Sequence, residues 1–152
     1  MSLYEEINEH LKEALKSKKT DALNALRGLK AVIKNKEVEL RRKLEDNEII
    51  QLIAKQIKQR KESIAQFQKG NRPDLVEKEE KELKVLEQFM PPPLSEEALD
   101  KILQEIITET GAIGPQDMGK VMKVAMFRLS GRAEGKVISQ KVRQFLTQYN
   151  SR

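Results

Sequence analysis

The sequence predicts an all-α fold in two parts: a four-helix N-terminal domain with long antiparallel helices, residues 1–92, and a small three-helix C-terminal domain, residues 93–152. Three observations carry this. Apolar residues recur at the helical period in every long segment, and strand-like alternation is sustained nowhere. Leu, Ile, Lys, Glu and Gln dominate, while Gly and Pro supply only 7 and 5 of 152 residues, a composition biased toward helix. Pro91-Pro92-Pro93 forms a stiff run that cannot lie inside a helix, and it separates the two parts.

Each helix has its own signals. The first begins at Ser2-Leu3-Tyr4-Glu5, a capping-box spacing, and carries Leu3, Ile7, Leu11 and Leu15 on one stripe. Thr20 is expected to cap the second, which runs to about Glu45. The third starts near Asp46 and Asn47 and ends before Gly70. Pro73, at a first-turn position, opens the fourth, which ends at the proline run. Ser95 caps the fifth, and Gly111 stops it. Pro115 opens the sixth, which ends near Leu129 or Ser130. Residues 131–135 form a turn, and the seventh helix fills most of the remainder. Short connections make the second, third and fourth helices antiparallel neighbours.

A polar residue interrupts the apolar stripe of two of these helices. On the third, Ile50, Ile53, Ile57, Ile64 and Phe67 leave one slot, which Arg60 fills. On the fourth, Val76, Leu83, Leu86 and Met90 leave a gap at Glu79. Folding the two helices about residues 70–72 brings Arg60 within about one helical turn of Glu79. A partly buried structural ion pair is expected there, one that sets register more than it adds stability.

Composition narrows the chemistry. There is no Cys and a single His, His10, so disulfides, thiolate chemistry and His-based triads are excluded. Acidic residues are spread over helix surfaces with no loop cluster to pair them, and nothing resembles an activated nucleophile. No metal site or cofactor is expected. No apolar run approaches the ~20 residues of a membrane span, and the first residues form a charged amphipathic pattern. A soluble, cytosolic protein without a membrane partner is therefore expected.

Net charge is +5, but it is uneven. Residues 117–152 hold eight Lys/Arg against two Asp/Glu, whereas residues 1–116 are nearly balanced. A cationic tail suits an anionic partner, nucleic acid first, although a solvated surface would look the same.

The stretch GPQDMGKV, residues 114–121, approaches a phosphate-binding loop and stops short, with Val121 where Ser or Thr would ligate magnesium. The preceding segment, Leu99 to Thr110, is helical, so no strand sets the loop, and Pro115 removes a backbone donor. Nucleotide binding is rejected. Gly111, Gly114 and Pro115 read as helix punctuation, and Gly119 as a site of close helix packing.

The sixth helix puts Met118, Val121, Met122, Ala125, Met126 and Leu129 toward a core. Its other side shows Lys120, Lys123, Val124 and Phe127, with Arg128 at the border. Such a face could grip nucleic acid by charge and stacking, dock a protein through Val124 and Phe127, or be buried by a neighbour. On the second helix Arg27, Lys30, Lys34 and Arg41 share one side over about 21 Å. That row could meet phosphates, or pair with Glu77, Glu80 and Glu82 of the fourth helix or with Glu37.

The run DMGKVMKVAM (Asp117 to Met126), followed by Gly131 to Val137, resembles the GatB/YqeY motif. So do LRGLKAVIKNKEVE (Leu26 to Glu39), KQRKESIAQF (Lys58 to Phe67), DLVEKEEKELKVLEQFMPPPLSEE (Asp74 to Glu97) and TGAIGPQDMGK (Thr110 to Lys120). Together they span nearly the whole chain, and on them it is identified as a member of the YqeY family. The proline triplet departs from the single proline usual there. The resemblance implies an all-helical fold of two subdomains, the second similar to the tail of the B subunit of tRNA-dependent amidotransferases. Those enzymes amidate Glu or Asp on tRNA with ATP and glutamine, and their tail helps to hold the tRNA. The resemblance therefore implies a recognition module for tRNA or other RNA without stand-alone activity, associated with carbon–nitrogen ligases that use glutamine as amido donor. Its expected contacts are Lys120, Lys123, Arg128, Arg132 and Lys136, extended by Arg27, Lys30 and Lys34. The alternative is a module that docks on an amidotransferase complex through Val124 and Phe127.

Overall fold

Seven α-helices and one short 3₁₀ turn make up the computed structural model, which describes residues 1–129 and 131–150 and, for residues 149 and 150, the backbone alone. No strand occurs among the described residues, so the fold is all-α. The chain divides into two compact units, Met1–Met90 and Pro91–Arg152.

The first unit contains α1 (Leu3–Lys16), α2 (Thr20–Leu40), α3 (Asp46–Lys69) and α4 (Pro73–Glu87). At the start of α1 the Ser2 hydroxyl accepts from the Glu5 backbone N–H, and the Glu5 carboxylate accepts from the Ser2 N–H, so two end donors are satisfied reciprocally. Leu3 and Ile7 are buried, but Leu15 is exposed and Ala14 takes the inward position. Helix α2 departs from the expected bounds. Its N-cap is Lys19, without a side-chain cap bond, and it ends at Leu40, where Arg41 turns left-handed at φ 59°. The next residues are pinned by side chains: Leu44 N–H donates to Glu37, and Arg42 forks onto Glu48 at 2.7 and 2.8 Å. These bonds hold the chain out of helix before α3, which a Glu45–Glu48 capping box then starts.

Helices α3 and α4 make the most extensive contact of the unit, joined by a turn through Gly70–Arg72. Ile49 and Ile53 of α3 are buried with Leu86 of α4 and Ala25, Leu26, Leu29 and Ile33 of α2. Ile50 and Ile57 are only half-buried, so the inward stripe is turned from the expected one. Phe89 closes the core beyond α4, its ring edge-on to His10 at 4.9 Å.

The second unit contains α5 (Glu96–Thr110), the 3₁₀ turn Pro115–Asp117, α6 (Met118–Leu129) and α7 (Gly135–Asn150). Ser95 caps α5 by accepting from Ala98 N–H at 3.1 Å. Gly111 ends it at φ 70°, a left-handed position that glycine reaches without a Cβ clash. Pro115 opens a 3₁₀ turn rather than α-helix, and Asp117 in that turn accepts from Ile113 N–H. Helix α6 ends at Leu129, one of the two expected ends, and the other, Ser130, lies outside the described residues. Leu99, Leu103, Ile106 and Ile107 meet Val121, Ala125 and Leu129 of α6 and Ile138, Val142 and Leu146 of α7 in one core. Lys141 ties α7 to α5, donating to Asp100 at 2.7 Å and Glu96 at 3.1 Å.

Candidate nucleic-acid interface

The outward face of α6 follows from its period. Val121, Ala125 and Leu129 repeat every four residues and are buried, so Lys120, Lys123, Met126 and Phe127 point away from the core. Phe127 is 49% exposed and lies between the two lysines on the helical wheel. Val124, expected beside Phe127, is instead half-buried against the core of the unit. Its position lies between the buried and exposed sectors of α6. Met126, expected inside, is 43% exposed and covers the start of α7, where a Cβ at Gly135 would come within 3.3 Å of its methyl. Gly119 is exposed, and an added Cβ would meet nothing within 4 Å, so close packing within the chain does not explain it.

The five expected cations of this unit separate into two groups. Lys120, Lys123 and Lys136 are exposed and take part in no ion pair among the described residues. Lys136 lies in the first turn of α7, a turn without acidic residues, so it adds positive charge to the positive end of the helix dipole. Arg128 is paired within the unit, and Arg132 is half-buried without an ion pair among the described residues. Arg128 pairs with Glu109 across from α5, and its hydrogen bond holds the Glu109 carboxyl below the usual range. Arg132 is half-buried with its Nε shielded, and its backbone accepts from Leu94 N–H and donates to Leu129 C=O.

In the first unit Arg27, Lys34 and Arg41 are exposed, and Lys30 is half-buried. None of the four pairs with the carboxylates that might have neutralised them. Glu82 is taken by Arg60, Glu77 by Lys81 and Glu37 by Lys43. Arg60 lies beside Glu79 at 3.0 Å, and the same nitrogen donates to Glu82 at 2.9 Å. Reasoning from sequence treated Glu82 as a surface acid. Its side chain is buried, one turn from Glu79 on α4, and that i,i+3 spacing to Glu79 was the signal available.

No group of three or more His, Asp or Glu able to hold a metal ion occurs among the described residues. No helix is long and apolar enough to cross a membrane among them.

The family described as Yqey-like protein matches residues 4–146. The chain belongs to that family. Its curated relatives include the fungal protein "Altered inheritance of mitochondria protein 41, mitochondrial". The version from Kluyveromyces lactis is 39% identical over 106 residues, 68% of this chain and 57% of the relative. The one from Pyrenophora tritici-repentis is 34% identical over 137 residues, 88% of this chain and 75% of the relative. The one from Lachancea thermotolerans is 36% identical over 112 residues, covering 72% and 60%. The matched stretch of this Yqey-like chain thus spans less than two thirds of two of these relatives. Their names also correct the expected cytosolic location, since these relatives are designated mitochondrial. The absence of a long apolar helix among the described residues does not separate cytosol from the interior of an organelle.

Proposed function

We propose that this Yqey-like chain is a non-catalytic RNA-binding module, with tRNA as its first candidate partner. The observation that supports it most is the trio Lys120, Lys123 and Lys136, exposed and without an ion-pair partner among the described residues. Cations left without carboxylates in a chain rich in both signs retain their full attraction for phosphate. Phe127, half-exposed between two of them, adds an apolar surface on which a base can stack. The resemblance of residues 110–137 to the tail of tRNA-dependent amidotransferases supports tRNA among the anionic partners. No amidotransferase chemistry is assigned to the chain by itself, and no cofactor is assigned.

The test is titration of labelled tRNA with the full chain, followed by anisotropy over a salt series. Three phosphate contacts give a slope of log K against log salt of about −2 to −3. Lys120→Glu with Lys123→Glu should weaken binding by about tenfold or more, with helicity intact. Unchanged tRNA affinity in that variant overturns the proposal.

Met126 and Phe127, both exposed on α6, favour a second reading, a docking surface for a protein such as an amidotransferase complex. Partner capture that is lost in Phe127→Ala, is nearly salt-independent, and occurs without tRNA binding would establish that reading instead.

A further inference from the structure

Helix α2 breaks a local rule at two places, one inside it and one at its C-cap. Gly28 lies inside the helix, where a side chain favours helix and glycine does not. Neither packing nor backbone asks for it: the residue is exposed, a Cβ there would meet nothing within 4 Å, and its φ is not positive. Arg41, at the C-cap, has φ 59° and ψ 35°, a left-handed conformation that glycine or asparagine adopts more readily. So a side chain is missing where the helix wants one, and a long cation stands where the backbone wants none. Both choices lower local stability, and departures of this kind mark function more often than fold.

The surroundings are of one character. Arg27 and Lys34 lie seven residues apart on one side of α2, about 10.5 Å along the axis, Arg41 follows at the C-cap, and all three are exposed. Beside them lie Asn24, Ala31 and Asn35, exposed and short, and Val38, 78% exposed. Glu37 pairs with Lys43 at 3.8 Å and Glu39 with Lys36 at 3.5 Å, while Asp21, two turns before Gly28, has no ion-pair partner among the described residues. The surface is therefore a row of cations without ion-pair partners beside amides, small residues and one exposed valine.

We propose that this face of α2 seats double-helical RNA across its minor groove. The A-form minor groove is wide and shallow and displays 2′-hydroxyls, so a flat strip reaches it and long side chains are not required. Asparagine amides both donate and accept, as a 2′-hydroxyl does. Gly28 lets the ribose edge approach the helix backbone, and Arg27, Lys34 and Arg41 meet phosphates along one strand. No aromatic residue lies on α2, which argues against single strands held by stacking. B-form DNA is read by side chains that project deep into a major groove, and this strip has none beyond the cation row.

The inference rests on the reading of the chain as an RNA binder, but it uses a different surface. It is tested with the full chain against a 20-base-pair RNA duplex, the DNA duplex of the same sequence and the single RNA strand, as labelled probes. Arg27→Glu with Lys34→Glu should weaken RNA-duplex binding by about tenfold or more. Arg41→Gly and Gly28→Gln should weaken it severalfold while the helical signal persists. Gly28→Ala should melt about 2–5 °C higher than the parent, as expected for glycine replaced in open space. Lys120→Glu with Lys123→Glu should retain the RNA duplex. RNA-duplex affinity unchanged in the α2 variants overturns the inference, and so does equal binding of the DNA duplex or a preference for the single strand. Loss of tRNA binding in the α6 variant with unchanged duplex affinity in the α2 variants leaves the RNA-binding reading standing and removes only this one. Absence of binding to any RNA removes both.

Discussion

Arg60 of α3 donates to Glu82 of α4 at 2.9 Å, and Glu82 is the one buried charged residue among those described, 5% exposed. The same Nη1 donates to Glu79 at 3.0 Å, so a single guanidinium serves two carboxylates one turn apart. Removing the cation leaves Glu82 buried and uncompensated, which is costly. Replacing cation and buried carboxylate together with apolar residues is much less so. Arg60→Ala should lower unfolding free energy by about 3 kcal/mol. Arg60→Met combined with Glu82→Leu should return to within about 1 kcal/mol of the parent. Urea titrations of the three proteins measure this, and equal losses in single and double variants would show the ion pair to be incidental.

Glu48 gives the first unit an acid-sensitive joint. Its hydrogen bonds from Arg42, and then from the Glu45 backbone, lower its carboxyl from 4.5 to about 2. A carboxyl depressed in the folded state contributes stability that is complete above its unfolded value and is lost as pH falls through the folded one. The loss attributable to Glu48 therefore falls between about pH 4.5 and 2. Denaturant midpoints across that range should decline, and less steeply in Glu48→Gln. Identical pH profiles would remove Glu48 from the account.

Two serine caps offer a test with one in each unit. Ser2 accepts from Glu5 N–H and Ser95 from Ala98 N–H, each in place of water at a helix start. Substitution by alanine should cost about 1 kcal/mol at either site. Ser2→Ala also breaks a capping box, so it is expected to be the larger loss. Thermal melts of the two variants decide the order.

Two glycines of the second unit should respond oppositely to alanine. Gly111 has φ 70°, so Gly111→Ala should destabilise by about 1 kcal/mol. Gly119 is helical with open space where a Cβ would stand, so Gly119→Ala should stabilise by about 0.5–1 kcal/mol. Denaturation midpoints shifting in the same direction would contradict this reading of their backbones.

The helices were legible because their causes are local. The Ser2–Glu5 spacing, Pro73, Ser95 and Gly111 each act through neighbours within four residues, and each marks a helix end as read. The end of α2 was misread because Glu37 and Glu48, seven and six residues from their partners, pin residues 42–45 through side chains. The candidate interface was legible as an excess of charge and illegible as a surface. Nothing in the order of residues says that Glu109 takes Arg128, nineteen positions away, while Lys120 and Lys123 are left to solvent.

Sequence alone determined that this chain is helical, which residues begin and end most helices, and that its cationic excess lies in the last quarter. These follow from the hydrophobic period, from caps and from counting charge. Only the tertiary structure decided that Glu82 is buried, that Val124 faces the core while Met126 and Phe127 do not, and that the α2 row has no ion-pair partners among the described residues. Those facts depend on which helix faces which. A helix offers several faces to its neighbours, and packing selects among them through contacts far apart in the chain.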